Sequence, residues 1–215
     1  PAAASRRFPS YLAPAMTQLP ELPLILSRQE IRKMIRQRRR ALTPEQQQEM
    51  GQQAATRMMT YPPVVMAHTV AVFLSFDGEL DTQPLIEQLW RAGKRVYLPV
   101  LHPFSAGNLL FLNYHPQSEL VMNRLKIHEP KLDVRDVLPL SRLDVLITPL
   151  VAFDEYGQRL GMGGGFYDRT LQNWQHYKMQ PVGYAHDCQL VEKLPVEEWD
   201  IPLPAVVTPS KVWEW

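Results

Sequence analysis

The chain has 215 residues, 45% of them hydrophobic and 21% charged, with a formal net charge of +1. This is the composition of an ordinary globular protein, long enough for one large domain or two small ones, and it excludes a molecule that binds polyanions through net charge alone. No apolar run approaches the roughly 20 residues that span a bilayer, and the single Cys188 excludes an internal disulfide and suits a reducing cytoplasm.

Residues 1–26 carry five prolines and no helical or strand period. They are expected to form a poorly structured extension outside the functional argument, with Met16 as the expected natural start. Ser27-Arg28-Gln29-Glu30 has the pattern of a capping box and predicts a helix to about Ala41, with Ile31, Met34, Ile35 and Leu42 near one face. Its other faces carry seven basic residues from Arg28 to Arg40. Thr43-Pro44-Glu45-Gln46 repeats the start signal and predicts a second helix to about Met59, ended by Tyr61-Pro62-Pro63.

Alternation follows. Strands are predicted over 69–75, 95–100, 108–114, from 144, over 181–186 and over 204–208, with helices over 82–93 and 166–177. Short apolar strands alternating with helices imply an α/β fold with a mostly parallel sheet. The two N-terminal helices are expected to pack on one side of it, and residues 27–215 to form a single domain.

"RLGMGGGFYDR" (159–169) places four of the chain's ten glycines in five consecutive positions, at the start of a predicted helix. Glycine weakens regular structure, so the cluster needs a reason. Backbone N–H groups at a helix start bind anions, and missing side chains let phosphate oxygens approach. Neither standard phosphate motif fits: no Lys-Ser or Lys-Thr follows, and the sixth position from Gly161 is Phe166. A purely structural turn is the alternative. Asp168 in the first helical turn would repel a polyphosphate unless a divalent cation stood between them, an arrangement that suits Mg²⁺. Arg159 supplies a phosphate-pairing guanidinium. Together these read as a nucleotide–magnesium site. Glu79, in "DGELD", reads without further information as a turn carboxylate. His68, His102, His115, His128, His176 and His186 lack metal-ligand spacing.

The same stretch resembles the Arg-Leu-Gly-x-Gly-x-Gly-Tyr-Tyr-Asp signature of the 5-formyltetrahydrofolate cyclo-ligase (5,10-methenyltetrahydrofolate synthetase) family. "FLSFDGELDTQPLI", "GKRVYLPV", "KIHEP", "DVLITPLVAFDEYGQRLG" and "LPVEEWDIPLPAVVTP" resemble its other blocks, in family order over about 27–208. Phe166 replaces the first signature tyrosine, and Arg28 stands where the family's first helix usually opens with a phosphate-binding lysine.

The resemblance implies a fold like that of NagB, RpiA and CoA transferases. It implies ATP- and Mg²⁺-dependent closure of 5-formyltetrahydrofolate to 5,10-methenyltetrahydrofolate, with ADP and phosphate released. It assigns ATP to Arg28, Arg32, Arg159, Leu160, Gly161, Met162, Gly163, Gly164, Gly165, Phe166 and Tyr167. It assigns the metal to Asp168 and Asp200, the chemistry to Arg159 and Asp168, and folate to Leu74 and Glu79. Tyr97, Phe166 and Tyr167 either flank the pterin or pack in the core. ATP and the folate are the expected partners of a cytoplasmic monomer, with no membrane and no nucleic acid. Competing readings are an RNA-binding module built on the basic helix and an ATP-independent isomerase or transferase on a related fold.

Overall fold

The structure is a computed structural model describing residues 26–215, so the expectation for residues 1–26 lies outside the described residues apart from Leu26. In chain order the elements are α1 (Arg28–Arg40), α2 (Pro44–Thr60), α3 (Pro62–Met66), β1 (Thr69–Ala71), α4 (Gln83–Arg91) and β2 (Arg95–Leu101). Next come β3 (Leu109–Tyr114), β4 (Leu120–Met122), β5 (His128–Pro130), β6 (Val145–Thr148), β7 (Ala152–Asp154), β8 (Arg159–Leu160) and α5 (Phe166–Leu171). β9 (Gln180–Tyr184), β10 (Leu190–Val191), β11 (Ala205–Val207) and β12 (Val212–Glu214) complete the chain. Both capping boxes form: Ser27 Oγ accepts from Glu30 N at 3.1 Å and Thr43 Oγ1 from Gln46 N at 3.1 Å, each reciprocated.

The main sheet has seven strands in the order β12-β11-β9-β6-β1-β2-β3. Its five inner strands are parallel and both edges are antiparallel. The fold is therefore α/β with a mainly parallel sheet. From β1 the chain moves outward to β2, and from β6 it moves outward the other way to β9 and β11. The gap beyond the carboxyl ends of β1 and β6 is thus a topological switch point, where open α/β sheets bind ligands. β6 and β11 are buried at every residue, as inner parallel strands require.

Leu85, Ile86 and Leu89 of α4 pack with Ala54, Ala55 and Met58 of α2 against one face of the sheet. Each such leucine, isoleucine or methionine side chain contributes roughly 1.5–3 kcal/mol on burial. The other face carries Phe111, Leu146, Phe153, Leu171 and Val206.

The expectation that both N-terminal helices share one side is corrected. Ile31 and Ile35 of α1 pack with Val151, Ala152, Leu160 and Leu194, around a separate three-stranded sheet ordered β10-β7-β8. Tyr61-Pro62-Pro63 does end α2, but Pro62 then opens α3. The strand predicted over 69–75 is in register with β2 only at Thr69–Ala71; Val72 N still donates to Tyr97 O at 2.9 Å, and beyond it the chain leaves the sheet toward the groove. The helix predicted over 166–177 stops at Leu171: Gln172 caps it and Asn173, at φ 58°, turns the chain left-handed before a short 3-10 turn.

Candidate active site

A groove of about 680 Å³ opens at the switch point, a size suited to a small molecule. Phe73 and Leu74 enter it after β1, Leu98 and Leu101 from β2, and Pro149 and Leu150 after β6. The β4–β5 hairpin contributes Asn123, Leu125, Ile127 and His128. Glu129 holds that hairpin in place, accepting from Leu101 N at 3.1 Å and Asn123 Nδ2 at 3.0 Å.

At one end lies the glycine stretch, residues 161–165. A two-residue strand, β8, leads directly into it, so the chain reaches the loop from a β element rather than after a long connection. Gly163 sits at φ +104°, which an L side chain adopts only with strain. Gly164 has a different reason: an added Cβ would meet the Phe166 ring at 2.8 Å. The density of glycine is thus set partly by neighbouring side chains and only partly by room for a ligand. Gly165, left-handed at φ 71°, starts α5 without any side-chain cap bond. Arg169 Nη1 donates to Gly164 O at 2.8 Å and Gly107 O at 3.0 Å, tying the loop to the β2–β3 turn.

Three arginines surround this loop. Arg32 Nε donates to Gly161 O at 2.9 Å, and burial, then the like charge of Arg28, presses its pKa down. Arg28 makes a two-pronged pair with Asp200, Nη1–Oδ2 at 2.6 Å and Nη2–Oδ1 at 3.2 Å. Arg159 is buried, with Nε donating to Pro149 O at 3.1 Å and Nη1 3.3 Å from Asp168 Oδ1. Burial lowers its pKa and Asp168 opposes that shift. Its guanidinium carbon lies 5.6 Å from the centroid of the Tyr167 ring, a cation–π contact. Burial raises the Tyr167 phenol's pKa, so the hydroxyl stays protonated.

Asp168 is half-buried and lines the groove, with Oδ1 also accepting from Ile201 N at 3.4 Å. It can serve a hard cation as one carboxylate among phosphate oxygens and water. Asp200 fits that part less well: both its oxygens are held by Arg28, and Oδ2 also accepts from Glu197 N at 2.8 Å. Among the described residues there is no group of three His, Cys, Asp or Glu side chains arranged for a metal.

Glu79 also lines the groove. Asp77 and Gly78, both at positive φ, form a tight turn closed by Glu79 N donating to Phe76 O at 3.1 Å. Glu79 Oε1 accepts from Phe76 N at 3.1 Å. Burial raises the Glu79 pKa to about 7, against the pull of that amide and of Arg39.

Arg28, Arg32, Leu74, Glu79, Arg159, Gly161 to Gly165, Phe166, Tyr167 and Asp168 therefore share one groove. Leu160 lies buried beside it in the α1 core, and Met162 is exposed at its rim. Tyr97 is not brought in. It pairs in register with Ala71 and Asn113, packs with Phe111 and Leu146, and its edge reaches a second cavity at the opposite end of the sheet. Sequence reasoning missed Trp199, 64% exposed on the rim, and the hairpin residues. The "KIHEP" block was the one signal for the hairpin, and it carried no role. The basic helix also changes meaning. Six of its seven cations have acceptors: Arg36, Arg39 and Arg40 face Asp77, Arg38 donates to Cys188 O and Leu190 O, and Arg28 and Arg32 bind as above.

The model of the 5-formyltetrahydrofolate cyclo-ligase family matches residues 25–209. The chain is similar to the 5-formyltetrahydrofolate cyclo-ligase of Haemophilus influenzae, 53% identical over 82% of this chain and 94% of that protein. It is 31% identical to that of Mycolicibacterium smegmatis over 86% of this chain and 95% of that one. The NMR structure of Aquifex aeolicus 5,10-methenyltetrahydrofolate synthetase superposes with a TM-score of 0.74 at 28% identity, covering 87% of this chain and 92% of that one. A Mycoplasma pneumoniae 5,10-methenyltetrahydrofolate synthetase shares the fold at TM-score 0.67 and 22% identity, covering 86% and 99%.

Proposed function

The chain belongs to the 5-formyltetrahydrofolate cyclo-ligase family, and on that premise we propose that it closes 5-formyltetrahydrofolate to 5,10-methenyltetrahydrofolate, with ATP converted to ADP and phosphate. The observation that carries this reading is the convergence, in one groove, of an arginine-flanked glycine loop and a half-buried carboxyl on an apolar wall. The arginine-flanked loop suits a triphosphate, and the carboxyl on the apolar wall suits a flat heterocycle with N–H donors.

The formyl oxygen is a poor leaving group. Transfer of the γ-phosphoryl to it, with ADP departing, makes it a good one. N10 then attacks the formyl carbon and loses its proton, and phosphate leaves as the ring closes. Such transfer depends on positioning and charge neutralisation. Arg28 and Arg32 on α1 are placed to hold the phosphates against the loop. Arg159, fixed by Pro149 O and Asp168, is placed to meet charge that grows on the transferring group. Asp168, with phosphate oxygens and water, would hold Mg²⁺, which supplies further neutralisation of phosphate charge. Asp200 acts instead as the orienter of Arg28. The apolar wall around Phe73, Leu98 and Leu150 excludes water from the reacting groups. Glu79 accepts from the pterin, and Phe166 and Tyr167 flank the boundary between the two substrates. Residues 27–215 act on this reading as one domain and as a cytoplasmic monomer, on a fold of the NagB, RpiA and CoA-transferase type.

Purified protein mixed with Mg-ATP and 5-formyltetrahydrofolate is expected to produce the near-UV absorbance of the methenyl product in proportion to ADP formed. Product formation without nucleotide, or ATP use without folate turnover, would overturn the proposal. The RNA reading loses support from the acceptors that occupy six of the seven cations of α1.

A further inference from the structure

Asp77 has no part in the reading above, yet it is the most heavily paired carboxylate among the described residues. Its Oδ2 lies 3.4 Å from Arg36 Nε and 3.6 Å from Arg39 Nη2, and its Oδ1 lies 3.2 Å from Arg40 Nη2. All three partners come from the last turns of α1. Arg36 and Arg40 reach Asp77 from the solvent side, while Arg39, 6% exposed, anchors the cluster against the protein. Asp77 occupies φ +50° and Gly78 φ +75°, leaving the turn little freedom once its carboxylate is fixed. The next carbonyl is also held: Gly78 O accepts from Gln47 Nε2 at 3.1 Å and lies 3.2 Å from His186 Nε2. An added Cβ at Gly78 would stand 3.3 Å from Arg39 Cβ, so turn and helix are packed as well as paired.

Glu79 is the following residue, and its carboxylate bonds to the first amide of this same turn. Its direction into the groove is therefore set by the orientation of the turn, and that orientation is set by the grip on Asp77. We infer that Asp77 is a positioning residue for the folate: held by Arg36, Arg39 and Arg40, it fixes the turn that aims the Glu79 carboxylate into the groove. The inference rests on the reading of Glu79 as a folate contact.

The test is a double-mutant cycle on Asp77→Asn and Glu79→Gln, read as separate KM values for folate and ATP. Asp77→Asn keeps the shape and the tolerance of positive φ but removes the charge. It is expected to raise the folate KM about tenfold, with the ATP KM changed less than about twofold. In the double variant the folate KM should match that of Glu79→Gln alone, because one change acts through the other. If Glu79→Gln raises the folate KM but Asp77→Asn leaves it unchanged, or if the two effects multiply, the positioning role is overturned and the folate reading survives. If Glu79→Gln leaves the folate KM unchanged, the folate reading fails and the inference with it. Should Asp77→Asn not fold, Arg40→Gln decides. Arg40 is the most exposed member of the grip, and its loss should raise the folate KM about twofold to threefold without moving the ATP KM. A lowered melting temperature with both KM values intact would mark a purely structural contact.

Discussion

The parallel sheet is hollow at both ends, and the two hollows are built differently. The one at the amino ends of β1 and β2, about 480 Å³, is lined by His68, Thr69, Arg95, Tyr97, Asp144 and Lys178. There the central carboxylate is fully engaged by the protein. Asp144 accepts from His68 N at 2.8 Å and Thr69 N at 3.1 Å and pairs with Lys178 at 2.9 Å. Burial would raise its pKa, but Lys178 and the two amides outweigh that and hold it at about 2. At the carboxyl ends the balance differs. The walls are mostly apolar, the arginines stand around a loop stripped of side chains, and burial holds the Glu79 pKa up at about 7 against the opposing pull of the Phe76 amide and Arg39. A closed polar cluster stabilises the sheet. An apolar groove with a few partly engaged charges retains capacity for a ligand.

The largest effect that could break this comparison is expected from Gly163→Val. The position tolerates a Cβ sterically, with only the Arg32 guanidinium near at 3.7 Å, but not the φ of +104°. The strain should cost about 1–3 kcal/mol, and ATP affinity should fall beyond roughly a hundredfold as the loop loses its shape. Calorimetric unfolding with and without Mg-ATP checks both. A variant that still gains stability from Mg-ATP would show that the loop is only a turn.

Asp168→Asn comes next. Turnover should drop by about two or more orders of magnitude, while melting changes little. Initial rates measured against Mg²⁺ concentration separate two roles. A curve shifted to higher Mg²⁺ marks a metal contact. A depressed but unshifted curve marks Asp168 as the partner that orients Arg159.

A smaller effect sharpens the contrast in charge capacity. Burial leaves Glu79 with a folded pKa of about 7 against an ordinary 4.5. A carboxyl raised in the folded state supports the fold fully below about 4.5 and loses that support as the pH rises through about 7. Glu79→Gln lacks this loss. The variant should therefore gain on wild type between these pH values, by about 1–2 kcal/mol at pH 8 after allowance for solvent. Equal melting temperatures across the range would mean that Glu79 is solvated.

The smallest effect is expected at the other end of the sheet. Lys178→Ala should cost no more than about 1 kcal/mol, since the lysine is 57% exposed. Neither substrate's KM should change. A shift in either would bring the polar cavity into the function and erase the distinction.

Much of this was legible in the chain, for reasons that differ by residue. Capping boxes are local, so both helix starts were readable from four residues each. The glycine loop was readable because its density is abnormal. What stayed hidden depends on distant partners. Nothing near Arg36, Arg39 or Arg40 announces that Asp77 will receive them, and a run of cations reads equally well as a phosphate surface. Asp200 looked like a second acid for a metal until Arg28, 172 positions away, was seen to hold it. Tyr97 failed for a reason of register: its place beside Ala71 and Asn113 puts it too far back along β2 to reach the groove. The helix predicted over 166–177 was too long because Gln172 leaves helical geometry and Asn173, a residue that tolerates the left-handed region, turns the chain.

α1 is attached to two separate segments of the groove's lining. Its first turns carry Arg28 and Arg32 to the glycine loop and Asp200, and its last turns grip the turn of Glu79. Along that span it is one uninterrupted helix of 13 residues. Such a member transmits displacement rather than absorbing it. On the proposed function, thermodynamics imposes a symmetry on whatever it transmits: any factor by which a bound nucleotide changes the affinity for folate must equal the factor by which bound folate changes the affinity for the nucleotide. Neither substrate can act as the regulator of the other without being regulated in equal measure.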